Sequence, residues 1–108
     1  MEIREAQLRV AELLARIDEK MEKPRAHEDT YTSLLHLIEE IGEICRVLLN
    51  QRTGRREKGN LGEELADSLV MLLQLANCCG VDLESELEIK IETLKQRFGV
   101  GDEKKVFD

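Results

Sequence analysis

The sequence predicts an all-α fold: an antiparallel helical bundle of four main helices, completed by homodimerisation. Three observations carry that expectation. Aromatic residues make up 3% of the 108 positions and Trp is absent, so any core must be aliphatic. The abundance of Leu, Ile, Glu, Lys and Arg, with a single proline, is a helical composition and not a β or disordered one. Apolar residues recur at spacings of three and four along most of the chain. At this length residues 1–108 are expected to form one domain with a single modest core.

The first helix is expected over residues 1–22, with Ile3, Ala6, Val10, Leu13, Leu14, Ile17 and Met21 in one apolar stripe. Lys23-Pro24 should end it, because a residue before proline avoids the α region. A connector follows, with Asp29 or Thr30 placed to cap the second helix. That helix should run from about Tyr31 to about Asn50, its apolar arc built from Leu34, Leu37, Ile38, Ile41, Ile44, Cys45 and Leu48. Gly42 in its middle costs about 1 kcal/mol against Ala, which implies close approach of another helix or a ligand.

Residues 51–60 break the pattern with two glycines and a local excess of Arg and Lys. They read either as a solvated loop or as a segment whose Arg52, Arg55, Arg56 and Lys58 meet polyphosphate. Asn60 and Glu63 have capping-box spacing and should open the third helix. Residues 69–76 are apolar nearly all round, which in so short a chain calls for burial against a second copy, giving a homodimer or homotetramer. Gly80 should close this helix in the left-handed conformation, and Asp82 should cap a fourth with Leu83, Leu87, Ile91, Leu94 and Phe98 inside. Residues 31–98 thus hold the motif-bearing helices, and residues 99–108 form a tail.

Two acidic motifs stand out, Glu39-Glu40-Ile41-Gly42-Glu43 and Glu63-Glu64-Leu65-Ala66-Asp67. Glu40 and Glu43 are three apart, as are Glu64 and Asp67, so each pair lies on one helix face. Antiparallel packing of the two helices would bring four carboxylates together. Like charges that close cannot all remain ionised unaided, and a divalent cation relieves them. Oxygen-only ligation suits Mg²⁺ or Mn²⁺. No Glu-x-x-His pattern supports a di-iron centre, and no Cys or His set has zinc spacing. No P-loop is present.

The net charge of −7 argues against nucleic acid as a partner. The start of the chain lacks a signal-peptide apolar region, no run is long enough to span a membrane, and three cysteines do not make a disulfide framework. These features point to a cytoplasmic protein with no membrane partner. The cysteines (Cys45, Cys78, Cys79) are expected as small buried apolar residues.

Glu40-Ile-Gly-Glu43 followed by Glu64-Leu-Ala-Asp67, with Gly80-Val-Asp-Leu after the third helix, resembles the MazG-like nucleotide pyrophosphohydrolases of the all-α NTP pyrophosphatase superfamily. The resemblance covers roughly Leu34 to Phe98. It implies an enzyme that cleaves a nucleoside triphosphate, NTP or dNTP, to the monophosphate and pyrophosphate by attack of metal-activated water on the α-phosphate. It also implies Glu40, Glu43, Glu64 and Asp67 as Mg²⁺ ligands and Glu39, with Glu40, as catalytic. Substrate contacts would come from Lys90 and Arg97 on the last helix, from Arg55 and Arg56 of the loop, and from Tyr31 against the base. Two departures accompany it: Leu94 stands where the family often has Asn, and the N-terminal part has no Trp. The alternatives are phosphoribosyl-ATP hydrolysis, or a non-catalytic dimerisation or regulatory module with a vestigial acidic site.

Overall fold

A computed structural model of the chain describes residues 1–23, 25–55 and 59–101. They form four helices and one short 3₁₀ turn, with no strand among the described residues: α1 (Ile3–Lys20), a 3₁₀ turn (Ala26–Glu28), α2 (Thr30–Thr53), α3 (Leu61–Cys78) and α4 (Leu83–Phe98). The all-α expectation holds.

The caps explain the boundaries. Asp29 accepts from the Thr32 N–H at 3.1 Å, Asn60 from the Glu63 N–H at 3.2 Å, and Asp82 from the Glu84 N–H at 3.2 Å. Each satisfies a donor that a helix start leaves unpaired. Gly80 and Gly99 close α3 and α4 with φ of 68° and 63°. In each, the next residue's N–H reaches back to a carbonyl five residues earlier, Val81 to Ala76 and Val100 to Lys95. α1 ends the same way but without glycine. Glu22 takes φ 58° and the Lys23 N–H donates to the Asp18 carbonyl at 2.8 Å. The helix therefore stops at Lys20, three residues earlier than proline alone would require.

α3 is the central helix. α2 runs antiparallel along one side of it, Ser33 meeting Cys78 at one end and Val47 meeting Gly59 at the other. α1 crosses another side, where Val10, Leu14 and Leu73 form a small core with Ile3, Ala6, Val70 and Leu83 packed on it. Arg4 fastens the start of α4 to α1 through Asp82 at 2.8 Å and Glu84 at 2.7 Å. That guanidinium holds the Asp82 carboxyl below its ordinary value.

Three expectations need correction. Of the residues expected on the inner face of α4 only Leu83 packs on the core among the described residues: α4 has no buried residue, and Phe98 is 70% exposed. A Cβ on Gly42 would meet nothing within 4 Å, whereas one on Gly59 would lie 2.6 Å from Val47 Cγ2. The close backbone approach is therefore at Gly59, just before α3, against Val47 of α2. Cys45 and Cys79 are exposed and Cys78 is half-buried, so only the last packs as expected. The radius of gyration is 16.9 Å, against about 13 Å for a compact chain of 100 residues. No single helix among the described residues is long and apolar enough to cross a membrane.

Candidate metal centre and its surroundings

The antiparallel α2–α3 seam places the two acidic motifs opposite each other. Carboxylate oxygens of Glu40, Glu64 and Asp67 all lie within 4.8 Å of one another. Glu40 and Glu64 are half-buried and Asp67 is exposed. Partial burial is the first cause that pushes the Glu40 carboxyl above its ordinary value; the charges of Asp67, Glu64, Glu39 and Glu43 add to it. Glu64 is pushed up likewise, by burial, then Asp67, Glu43 and Glu63, with Arg46 pulling the other way. Glu43 stands beside the three, close enough to act on both Glu40 and Glu64, and pairs with Arg46 at 3.6 Å.

The donor set fits a hard divalent cation. All its atoms are carboxylate oxygens from two rigid helices, and their mutual repulsion is the electrostatic imbalance that such an ion removes. Glu39 lies outside the group of three. Its side chain is 70% exposed and meets the Nδ1 of His36, one turn earlier, at 3.3 Å.

The other residues singled out in the sequence are more scattered. Tyr31 is 75% exposed at the start of α2. Lys90 lines an apolar groove of about 380 Å³ with Leu69, Leu72, Leu73 and Leu87. At 100° per residue, those α3 positions face away from Glu64 and Asp67. Arg97 is exposed near the end of α4, and Arg55 is exposed after Gly54. Arg56 and Lys58 lie outside the described residues, as does the tail from residue 102.

One residue was missed. Arg46, three positions after Glu43, borders a cavity of about 190 Å³ with Glu43, Asn50, Gly59 and Glu64. It is the basic group beside the acids, and its i,i+3 spacing from Glu43 was the available signal.

Comparison with known proteins agrees with this geometry. The MazG nucleotide pyrophosphohydrolase domain profile matches residues 28–98, which contain both acidic motifs. The dCTP pyrophosphatase 1 proteins of Bos taurus and Mus musculus are each 35% identical over 75 residues, covering 62% of this chain and 44% of theirs. The match thus spans less than half the length of those curated relatives. No solved structure matches the chain significantly. The profile covers well over half of the sequence and includes every acid at the α2–α3 seam: the chain belongs to the MazG nucleotide pyrophosphohydrolase family.

Proposed function

We propose that the chain is one MazG-like domain over residues 1–108 and acts as a Mg²⁺-dependent nucleoside triphosphate pyrophosphohydrolase in the cytoplasm, with Mn²⁺ as a workable substitute. The observation that carries the reading is the approach of Glu40, Glu64 and Asp67 oxygens to within 4.8 Å of one another. Glu40, Glu43, Glu64 and Asp67 are the residues to hold the cation. When bound, it offsets phosphate charge and makes a coordinated water more acidic.

The chain's own residues supply the rest. Glu39 is solvent-facing beside Glu40, with His36 at its carboxylate, and takes the proton of the attacking water. The water oxygen bonds to the α-phosphorus while the bond to the oxygen bridging the β-phosphorus breaks. That oxygen leaves on pyrophosphate, and the nucleoside monophosphate remains. Arg46 lies next to the acids and offsets the charge that develops on the leaving pyrophosphate. Arg55 and Arg56 are the further candidates for phosphate contact.

Assembly belongs to the same proposal. Leu69 is 50% exposed and Leu87 46%, and α4 buries nothing, so a homodimer or homotetramer covers these faces. Lys90 faces away from the acids of its own chain, so its role and that of Arg97 in phosphate binding require a second copy.

The test is incubation with a panel of NTPs and dNTPs plus Mg²⁺, monitoring pyrophosphate and monophosphate release. Activity on at least one, lost with EDTA, is the expected result. Release of neither product from any member of the panel overturns the proposal, and turnover of phosphoribosyl-ATP alone would replace the substrate.

A further inference from the structure

Glu39 stands at the acidic end with little to hold it. Its side chain is mostly exposed, and among the described residues its hydrogen-bond partner is the His36 Nδ1, at 3.3 Å. An exposed pair three residues apart on a helix is ordinarily weak, because both side chains give up freedom to keep it. The pair at Glu39 differs in what lies behind the imidazole.

The His36 ring stacks on that of His27, with centroids 5.7 Å apart and planes 29° from parallel. His27, in the 3₁₀ turn, is itself fixed. Asp18, 3% exposed, accepts from the His27 backbone N–H at 2.8 Å and meets its Nδ1 at 2.5 Å. The His27 carbonyl accepts from Gln74 Nε2 at 2.6 Å, and the Ser33 hydroxyl approaches it at 3.4 Å. Gln74 and Ser33 are both buried. His27 is thus tied to α1, α2 and α3 at once, and the His36 ring has a fixed surface to lie on.

Position along α2 gives the arrangement its direction. His36, Glu39 and Glu43 follow one another at spacings of three and four, so they share one edge of the helix. The charge of Glu39 is felt by Glu40, its neighbour in the chain. A carboxylate can only accept, so the contact with Glu39 requires the His36 proton to sit on Nδ1. Asp18 imposes the same form on His27. Two stacked imidazoles therefore each present Nδ1–H to a carboxylate, one buried and one at the acidic end.

Resting on the reading of Glu39 as the group that takes the proton of the attacking water, we propose that His36 is its positioning residue. The Nδ1–H, steadied by the His27 ring, engages Glu39 Oε1 and leaves Oε2 to meet the water. In the step itself the proton passes from water to Oε2, and the Nδ1 proton stays where it is. A general base acts only when its oxygen is within hydrogen-bond reach of the proton it takes. Glu39 alone, on a solvent-facing turn, would divide its time among rotamers that miss the water. A misplacement of about 1 Å at such a group costs about 100-fold. His36 reduces that loss without itself touching water or nucleotide.

The experiment has two arms on the full chain. In the first, the ring ¹⁵N shifts of His36 are read by NMR without metal or nucleotide. They show the Nδ1–H form in the wild type, and in Glu39→Ala a return to the Nε2–H form that a free neutral imidazole favours. The second arm separates donor from ring, using Mg²⁺ and whichever NTP or dNTP the wild type turns over fastest. His36→Phe keeps a ring on His27 and loses the donor, and kcat falls about 10-fold while KM stays within about 2-fold. His36→Asn keeps a donor near the place of Nδ1 and recovers most of that loss. The Mg²⁺-induced rise in Tm is the same in both variants as in the wild type. In a Glu39→Ala background His36→Phe has no further effect, because there is no carboxylate left to place. An Nε2–H form in the wild type, an unchanged kcat in His36→Phe, a larger loss in His36→Asn than in His36→Phe, or additive losses in the double variant each overturns the positioning role. Nδ1–H on His36 together with full turnover by Glu39→Ala leaves the pair standing and removes Glu39 as the base. Nε2–H on His36 together with turnover lost in Glu39→Ala does the reverse.

Discussion

Asp18 near the end of α1 and the acidic cluster at the α2–α3 seam are both carboxylate sites, and the protein treats them in opposite ways. At the 3₁₀-turn end, burial pushes the Asp18 carboxyl up, but the backbone N–H and ring of His27 outweigh it and hold the group below its ordinary value. At the acidic end, burial and neighbouring charges act together, and Glu40 and Glu64 are held above theirs. Asp18 has its charge answered from within the chain. Among the described residues the acidic cluster has only Arg46 as a cation beside it, and that side chain is mostly solvent-exposed. The direction of a carboxyl's shift thus separates an acid whose charge the fold answers from acids whose charges it leaves crowded together.

The largest expected effect tests the unanswered end. Asp67→Ala removes one of the three converging oxygens, and loss of hydrolysis should exceed the roughly 100-fold typical of losing a partner one step out from a metal. The rise in Tm on adding Mg²⁺ should vanish as well, since that rise is mass action by a ligand bound only to the folded chain. A variant that keeps the Mg²⁺ response would show that the three acids are a charged patch and not a site. The matching change at the answered end acts on stability instead. Asp18→Ala leaves His27 without its buried partner and should cost about 3 kcal/mol in urea unfolding, the scale of breaking a buried pair. Metal response should survive in whatever fraction remains folded.

A smaller effect comes from pH, and its sign differs between the two ends. For Asp18 the folded value is depressed, so its contribution is present above the unfolded value and is lost as pH falls through the folded one. For Glu40 and Glu64 the folded values are raised, so the folded state holds their protons more tightly than the unfolded chain does. Their contribution is greatest below the ordinary carboxyl range and declines as pH rises through the raised values. In EDTA, Tm should therefore fall from mildly acidic to neutral pH on account of the cluster, and Glu40→Gln should flatten that slope. Mg²⁺ at neutral pH should restore what the wild type loses. A slope unchanged in Glu40→Gln would place its cause elsewhere in the chain.

The contrast between the two ends also marks what the sequence made legible. The acidic end is written in local spacing: Glu40 with Glu43, Glu64 with Asp67, a short connection, and caps at Asn60 and Gly80 that fix the register of α3. Arg46 shared that spacing and was passed over because one arginine on a charged helix carries no signal of its own. The corner of Asp18 and His27 was not legible. The two are nine residues apart across a turn whose reversal depends on Glu22 adopting positive φ, a conformation no pattern in the sequence announces. α4 shows a different limit. Its apolar periodicity says correctly that one face is made for burial, yet periodicity cannot say whether the cover is the same chain, and here α4 finds little beyond α1.

The smallest effect addresses Gly42, between the cluster's own residues Glu40 and Glu43. Among the described residues nothing explains it: a Cβ there would meet none of them within 4 Å, and a mid-helix glycine gives up about 1 kcal/mol against alanine. If the helix surface at Gly42 stays bare in the assembled protein, Gly42→Ala should raise Tm by the equivalent of that amount and leave hydrolysis unchanged. If a second copy or the bound nucleotide comes against it, the added methyl must displace that neighbour. The stability gain then disappears from the assembled form, or KM rises while the apo chain is still stabilised. The two results differ in where the loss falls. A loss seen only at concentrations that favour assembly identifies a second copy, and a loss seen only in KM identifies the nucleotide. Gly42→Ala is thus a one-methyl probe of what covers the acidic end.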